Sequence, residues 1–228
     1  MRSTMTRLAA ATVALTLATV ACGTADDSPT ASAPTATHSM SPSTGTGGTA
    51  TAAADLRAAL TNLLADHVWL AGNALETAVL AGGDLTKPDV KGAVAALDEN
   101  SVALSKAVGG LYPDAEKPFL ASWRQHIGFF VEYTLGKATK DDAKVEKAKK
   151  DLDGYRTSFG QLINSVVPEL PADAVANELT PHVSTLFAAI DAMVGGKTDV
   201  QSLLIAATSH MPMTAAALAG GIAKNKGL

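Results

Sequence analysis

Trp123-Arg124-Gln125-His126-Ile127-Gly128-Phe129-Phe130-Val131-Glu132-Tyr133 places one histidine among aromatic and aliphatic residues at helical spacing. Phe119 and Trp123 lie seven and three positions before His126; Phe129, Phe130 and Tyr133 lie three, four and seven after it. Those offsets share one face of an α-helix, so the stretch predicts a buried helical face carrying one imidazole. The pattern recurs twice. His67 has Leu60, Leu63 and Leu64 before it and Leu70, Ala74 and Leu75 after it; His182 has Val175 and Leu179 before it and Leu186, Ala189 and Ile190 after it. The three histidines are 59 and 56 residues apart, a period that fits one helical hairpin per repeat.

Working outward, the punctuation between apolar runs divides the chain into six helices. The first is expected from about Asp55 to Leu80, ending at Ala81-Gly82-Gly83-Asp84. Its partner starts near Lys87-Pro88-Asp89, where proline suits a first helical turn, and ends at Gly109-Gly110. The third runs from about Ala115 to Ala138, the fourth from about Lys140-Asp141-Asp142 to Val167, and the fifth from about Ala172 to Val194. The sixth starts near Thr198-Asp199, a candidate cap, and continues to about Ala223 with a kink at Pro212. The expected fold is therefore all-α: a six-helix bundle of three repeated antiparallel hairpins, at about 55–110, 115–167 and 172–223, within one helical domain over residues 55–228.

Laid on one another, the second helices of the hairpins match Asn100, Tyr155 and His210, each 55 residues from the next and flanked by apolar residues at helical spacing. All six polar positions lie about a dozen residues from their hairpin loops, or roughly 20 Å along a helix. The sequence thus predicts one polar layer across the bundle, made of His67, His126, His182, Asn100, Tyr155 and His210.

The amino terminus has a different character. Arg2 and Arg7 precede an apolar run from Leu8 to Ala21, which ends in Thr19-Val20-Ala21-Cys22-Gly23. This is the form of a secretory signal. With the chain's one cysteine directly after small residues, it resembles a bacterial lipoprotein signal and lipobox, although Thr19 stands where that family usually has Leu. The resemblance implies a signal peptide over residues 1–21, lipidation of Cys22 (a palmitate-bearing anchor) and a cell-membrane location on the extracytoplasmic face. Residues 22–54 are almost wholly Thr, Ser, Ala, Gly, Pro and Asp, with no aromatic residue, and read as a flexible tether.

With Cys22 committed, no disulfide can form within the mature chain. A net charge of −4 without a basic, aromatic-interleaved surface argues against nucleic acid as a partner. The chain has no Glu-x-x-His for a di-iron bundle, no Cys-x-x-Cys-His, no His-Glu-x-x-His, no phosphate-cradling glycine motif and no Gly-x-Ser-x-Gly elbow. A non-enzymatic role is expected.

Two readings of the polar layer follow. In one, the polar groups bond to one another and fix the register of Ala/Leu helices that would otherwise slide. In the other, His67, His126, His182 and His210 are metal ligands, Met211 and Met213 add thioethers, and Asn100 and Tyr155 are auxiliary ligands or orient the rings. Imidazole with soft sulfur favours copper, with zinc behind it.

The segments Leu64-Ala65-Asp66-His67, Trp123-Arg124-Gln125-His126 and Leu179-Thr180-Pro181-His182 resemble a group of exported bacterial helical proteins labelled as related to copper amine oxidase. The resemblance spans about Leu56 to Ala223 and lends support to copper. It does not imply the oxidase activity, because the Asn-Tyr-Asp/Glu signature that generates the quinone is missing. The expected function is that of a lipid-anchored metal carrier, buffer or sensor; the alternative is an envelope interaction or scaffold lipoprotein whose polar layer is structural.

Overall fold

Thr51 starts the first helix: its hydroxyl accepts the backbone N–H of Ala54 at 3.1 Å, satisfying one of the four free donors of a helix start. The computed structural model describes residues 51–228. The expected signal segment, Cys22 and most of the tether therefore lie outside the described residues. The tether's last residues, Ala52, Ala53 and Ala54, are helical, so the first helix begins three residues before the expected Asp55.

The described residues are all-helical, with no strand among them: α1 (Ala52–Leu80), α2 (Pro88–Gly109), α3 (Glu116–Thr139), α4 (Asp142–Val166), α5 (Ala172–Val194), α6 (Val200–Ser209) and α7 (Met211–Lys226), with a single 3-10 turn at Pro113–Ala115. The boundaries follow local chemistry. Gly82 and Gly83 take positive φ (69° and 82°) to end α1, and Pro88 opens α2 where no N–H is needed. Lys140 adopts the left-handed conformation at the end of α3, and the Asp141 carboxylate accepts the Lys144 N–H at 3.0 Å to open α4.

Two expectations about the last helix need correction. Asp199 occupies the cap position of α6, but its side chain makes no capping bond. The predicted kink is a full break: α6 ends at Ser209, and α7 restarts at Met211 with Pro212 in its first turn, because Pro212 has no N–H to return to the preceding turn. By length and composition Val200–Lys226 is apolar enough to cross a membrane; here its two parts pack along α1, and α6 also along α5.

Each helix packs on its neighbours in sequence, and α1, α3 and α5 also touch one another. The core falls into two main apolar clusters. One gathers Leu60, Leu64, Phe119, Trp123, Phe159 and Val175; the other gathers Leu75, Phe130, Leu152, Leu186, Ile190 and Leu204. Along α3 and α5 the histidine stands between the buried residues of the first cluster and those of the second; along α1, His67 sits between Leu64 and Val68 of the first, with Leu75 of the second further on.

Candidate metal centre

His67, His126 and His182 are 2%, 3% and 7% exposed, and one ring nitrogen from each lies within 4.8 Å of the other two. The arrangement could hold a metal ion. His126 Nε2 and His67 Nε2 are 3.3 Å apart, which two neutral imidazoles bridge with one N–H donating to the other's lone pair. It is also about the separation of two nitrogens on one tetrahedral ion with bonds of about 2.0 Å. Closing a separation of 4.8 Å onto such an ion needs a shift of roughly 1.5 Å by one ring. A cavity of about 20 Å³ bordered by His126, His182, Tyr155 and Trp123 lies alongside, large enough for one water-sized occupant.

Aromatic side chains close the site. Trp123 lies 4.8 Å from the His67 ring and 4.7 Å from the His126 ring, Tyr155 stacks on His126 at 4.9 Å, and Phe130 meets His182 edge-on at 6.1 Å. Burial drives all three imidazoles toward the neutral form. It lowers His67 to about 3, assisted by His182, and His182 to about 4, assisted by His210; His126 is held well below the ordinary value by burial and then by His67 and His182. Neutral imidazole is the form that binds a metal, so no proton competes for these nitrogens near neutral pH. No carboxylate contributes to any of the three shifts.

Unpartnered polar atoms concentrate here. Among the described residues the buried side-chain atoms without a hydrogen-bond partner are the Nδ1 atoms of the three histidines, Trp123 Nε1, the Tyr155 hydroxyl and Asn100 Oδ1. The residue Ser122 bears on the Tyr155 hydroxyl, but not at hydrogen-bonding geometry. At about 1–3 kcal/mol for each such group, this level of the bundle is the least satisfied part of the interior.

The predicted layer of six is a group of three. Tyr155 packs against it, whereas Asn100 and His210 bond elsewhere. Asn100 Nδ2 donates to the Leu63 carbonyl at 3.0 Å. His210 Nε2 donates to the Glu178 carbonyl at 3.0 Å and lies 3.2 Å from the Glu178 carboxylate, outside the three-histidine group. His210 is therefore not placed as a fourth ligand. Met211 is buried in the apolar cluster that includes Ala207 and Ala215, and Met213 is 59% exposed, so the expected pair of thioethers is not assembled. Glu178 was missed in the sequence; the signal was its position four residues before His182, where Leu63 stands before His67.

No family model, no curated protein and no solved structure compared with the chain matches it. Its described residues form an all-α fold with three buried, convergent histidines.

Proposed function

We propose that this chain is a lipid-anchored, extracytoplasmic metal-binding protein that holds a transition ion, copper before zinc, on His67, His126 and His182. Its role is that of a carrier, buffer or sensor rather than a catalyst. The convergence of three ring nitrogens within 4.8 Å carries this reading. The anchor rests on the lipobox-like run ending at Cys22 and the tether that follows.

Copper keeps its place for a different reason than the methionines. Three neutral imidazoles with no carboxylate nearby leave an ion's whole charge inside an apolar core, and the cost of burying charge rises as its square. A monovalent ion on three nitrogens is favoured there over a divalent one, which points to Cu(I) rather than Zn(II).

The three-hairpin repeat belongs to the same proposal. Asn100 addresses the residue four before His67, His210 the residue four before His182, and Tyr155 lies beside Ser122, four before His126. Three equivalent relations between successive helices support three copies of one unit.

One observation favours the scaffold alternative. The three Nδ1 atoms lack the carbonyl or carboxylate partner that usually orients a metal-ligating imidazole, and the His67–His126 bond makes sense without an ion. Titration of the purified chain with Cu(I), Cu(II) and Zn(II), beside a His67→Ala/His126→Ala/His182→Ala variant, separates the two. Sub-micromolar binding lost in the variant is expected, with Cu(I) tightest. A folded chain that binds none of the three ions would leave the structural layer of an envelope scaffold.

A further inference from the structure

Between α1, α2 and α3 lies a cavity of about 480 Å³. Ala71, Ala74 and Ala78 of α1 line this space without filling it. Its volume is in the range of small-molecule sites, about 300–1,000 Å³. Leu75, Leu97, Phe130 and Leu186 form buried apolar walls, and His67 and His126 border the cavity as well. The exposed lining residues, Leu85, Lys91, Val94 and Ala95, mark the mouth; Leu85 is 41% and Val94 46% exposed, an apolar lip left in water.

The lining has two charged groups, Lys91 and Asp98. The Asp98 carboxylate is engaged by Arg124, which donates from Nε and Nη2 at 2.7 Å each. Lys91 makes no ion pair among the described residues. Asp84, which feels the Lys91 charge, is bonded to the Thr86 N–H and hydroxyl. An apolar pocket with an unpaired ammonium at its mouth is complementary to a hydrocarbon chain ending in an anion.

We propose that this cavity binds a single-chain anionic amphiphile of the fatty-acid class, its chain against the alanine wall of α1 and its carboxylate on Lys91. At about 30 Å³ for each water-sized group the space takes a chain of up to about sixteen carbons. No step requires a metal on the histidines, so this site and the metal site stand or fall separately.

The test is titration of the full chain with hexadecanoate below its micelle concentration and, in parallel, with hexadecan-1-ol as the neutral comparison. Two variants accompany it. Val94→Trp enlarges an exposed residue at the mouth and leaves the core untouched; Lys91→Glu reverses the cation. Circular dichroism checks that both are folded. Saturable one-to-one binding is expected, weakened about tenfold or more by Val94→Trp. Lys91→Glu should weaken hexadecanoate about tenfold and hexadecan-1-ol less than about twofold. Absence of saturable binding, or binding indifferent to both variants, would overturn the proposal. So would sedimentation with phosphatidylglycerol vesicles that persists in Val94→Trp while the free acid does not bind, because that is surface adsorption rather than cavity occupancy.

Discussion

The Nε2 atoms of His67 and His126 face each other at 3.3 Å in the interior, with Trp123 against both rings. A buried hydrogen bond of this kind behaves asymmetrically on mutation. Removing one partner strands the other, whereas replacing both with apolar groups removes the desolvation cost altogether. His126→Leu is expected to destabilise the metal-free chain by about 1–2 kcal/mol, and His67→Leu similarly. The double variant should lie within about 1 kcal/mol of the parent, a strongly non-additive cycle in urea unfolding. Additive losses would mean that the two rings do not depend on each other. Added Cu(I) should raise the unfolding midpoint of the parent and leave that of the double variant unchanged.

The neutral state of the three rings makes acid stability a second readout. Their folded pKa values lie below the ordinary 6.5, at about 3 for His67 and about 4 for His182, so the unfolded chain binds more protons than the folded chain below pH 6.5. Stability is then full above about pH 6.5 and falls with pH, by up to about 1.4 kcal/mol per pH unit for each ring. The carboxylates of Asp84 and Asp98 have lowered values, so their contribution is lost only at more acid pH. Three rings acting together erode about 4 kcal/mol per pH unit below pH 6.5, so a stability at the lower end of the typical range of about 5–15 kcal/mol is exhausted near pH 5. A His67→Leu/His126→Leu/His182→Leu variant should lose most of this slope. A parent whose urea midpoint is flat from pH 6.5 to 4.5 would contradict the neutral, buried assignment.

The long helices and their ends were legible because glycine, proline and aspartate mark them chemically: Gly82-Gly83, Pro88 and Asp141 act where the sequence puts them. The convergence of His67, His126 and His182 was legible for a related reason, since three equal apolar settings predict three equal depths. The fate of the second set was not legible. Whether Asn100 or His210 turns toward a histidine or onto a backbone carbonyl depends on the rotation of one helix about its axis relative to the next. Met211 and Met213 could have been separated in advance, because residues two apart on a helix point in widely different directions. The cavity depends on how closely α1 and α2 approach, which alanine content permits without dictating.

Close approach does decide the fate of two glycines. A Cβ at Gly160 would run into the backbone carbonyl of Ala172, where α4 meets the start of α5. Backbone cannot swing aside as a side chain can, so Gly160→Ala should cost about 1–3 kcal/mol. Gly128, two residues after His126, has nothing within 4 Å of its would-be Cβ and sits mid-helix. Gly128→Ala should stabilise by about 0.5–1 kcal/mol by restricting the unfolded chain. Urea midpoints moving in the same direction for both would argue against the tight α4–α5 contact.

His210 separates a ligand from a helix tie. It occupies the break between α6 and α7, and its Nε2 reaches the Glu178 carbonyl at 3.0 Å, while Thr214 donates to the Glu178 carboxylate at 3.3 Å. These contacts bind the restarted helix to α5 one turn from His182. Truncation at this point removes a largely buried donor and leaves the carbonyl with its helical bond alone. His210→Ala should therefore lower stability by about 1–2 kcal/mol while changing Cu(I) affinity by less than about threefold. His182→Ala should instead abolish tight binding. An affinity loss of tenfold or more in a fully stable His210→Ala chain would instead mean that His210 turns inward to complete the metal shell.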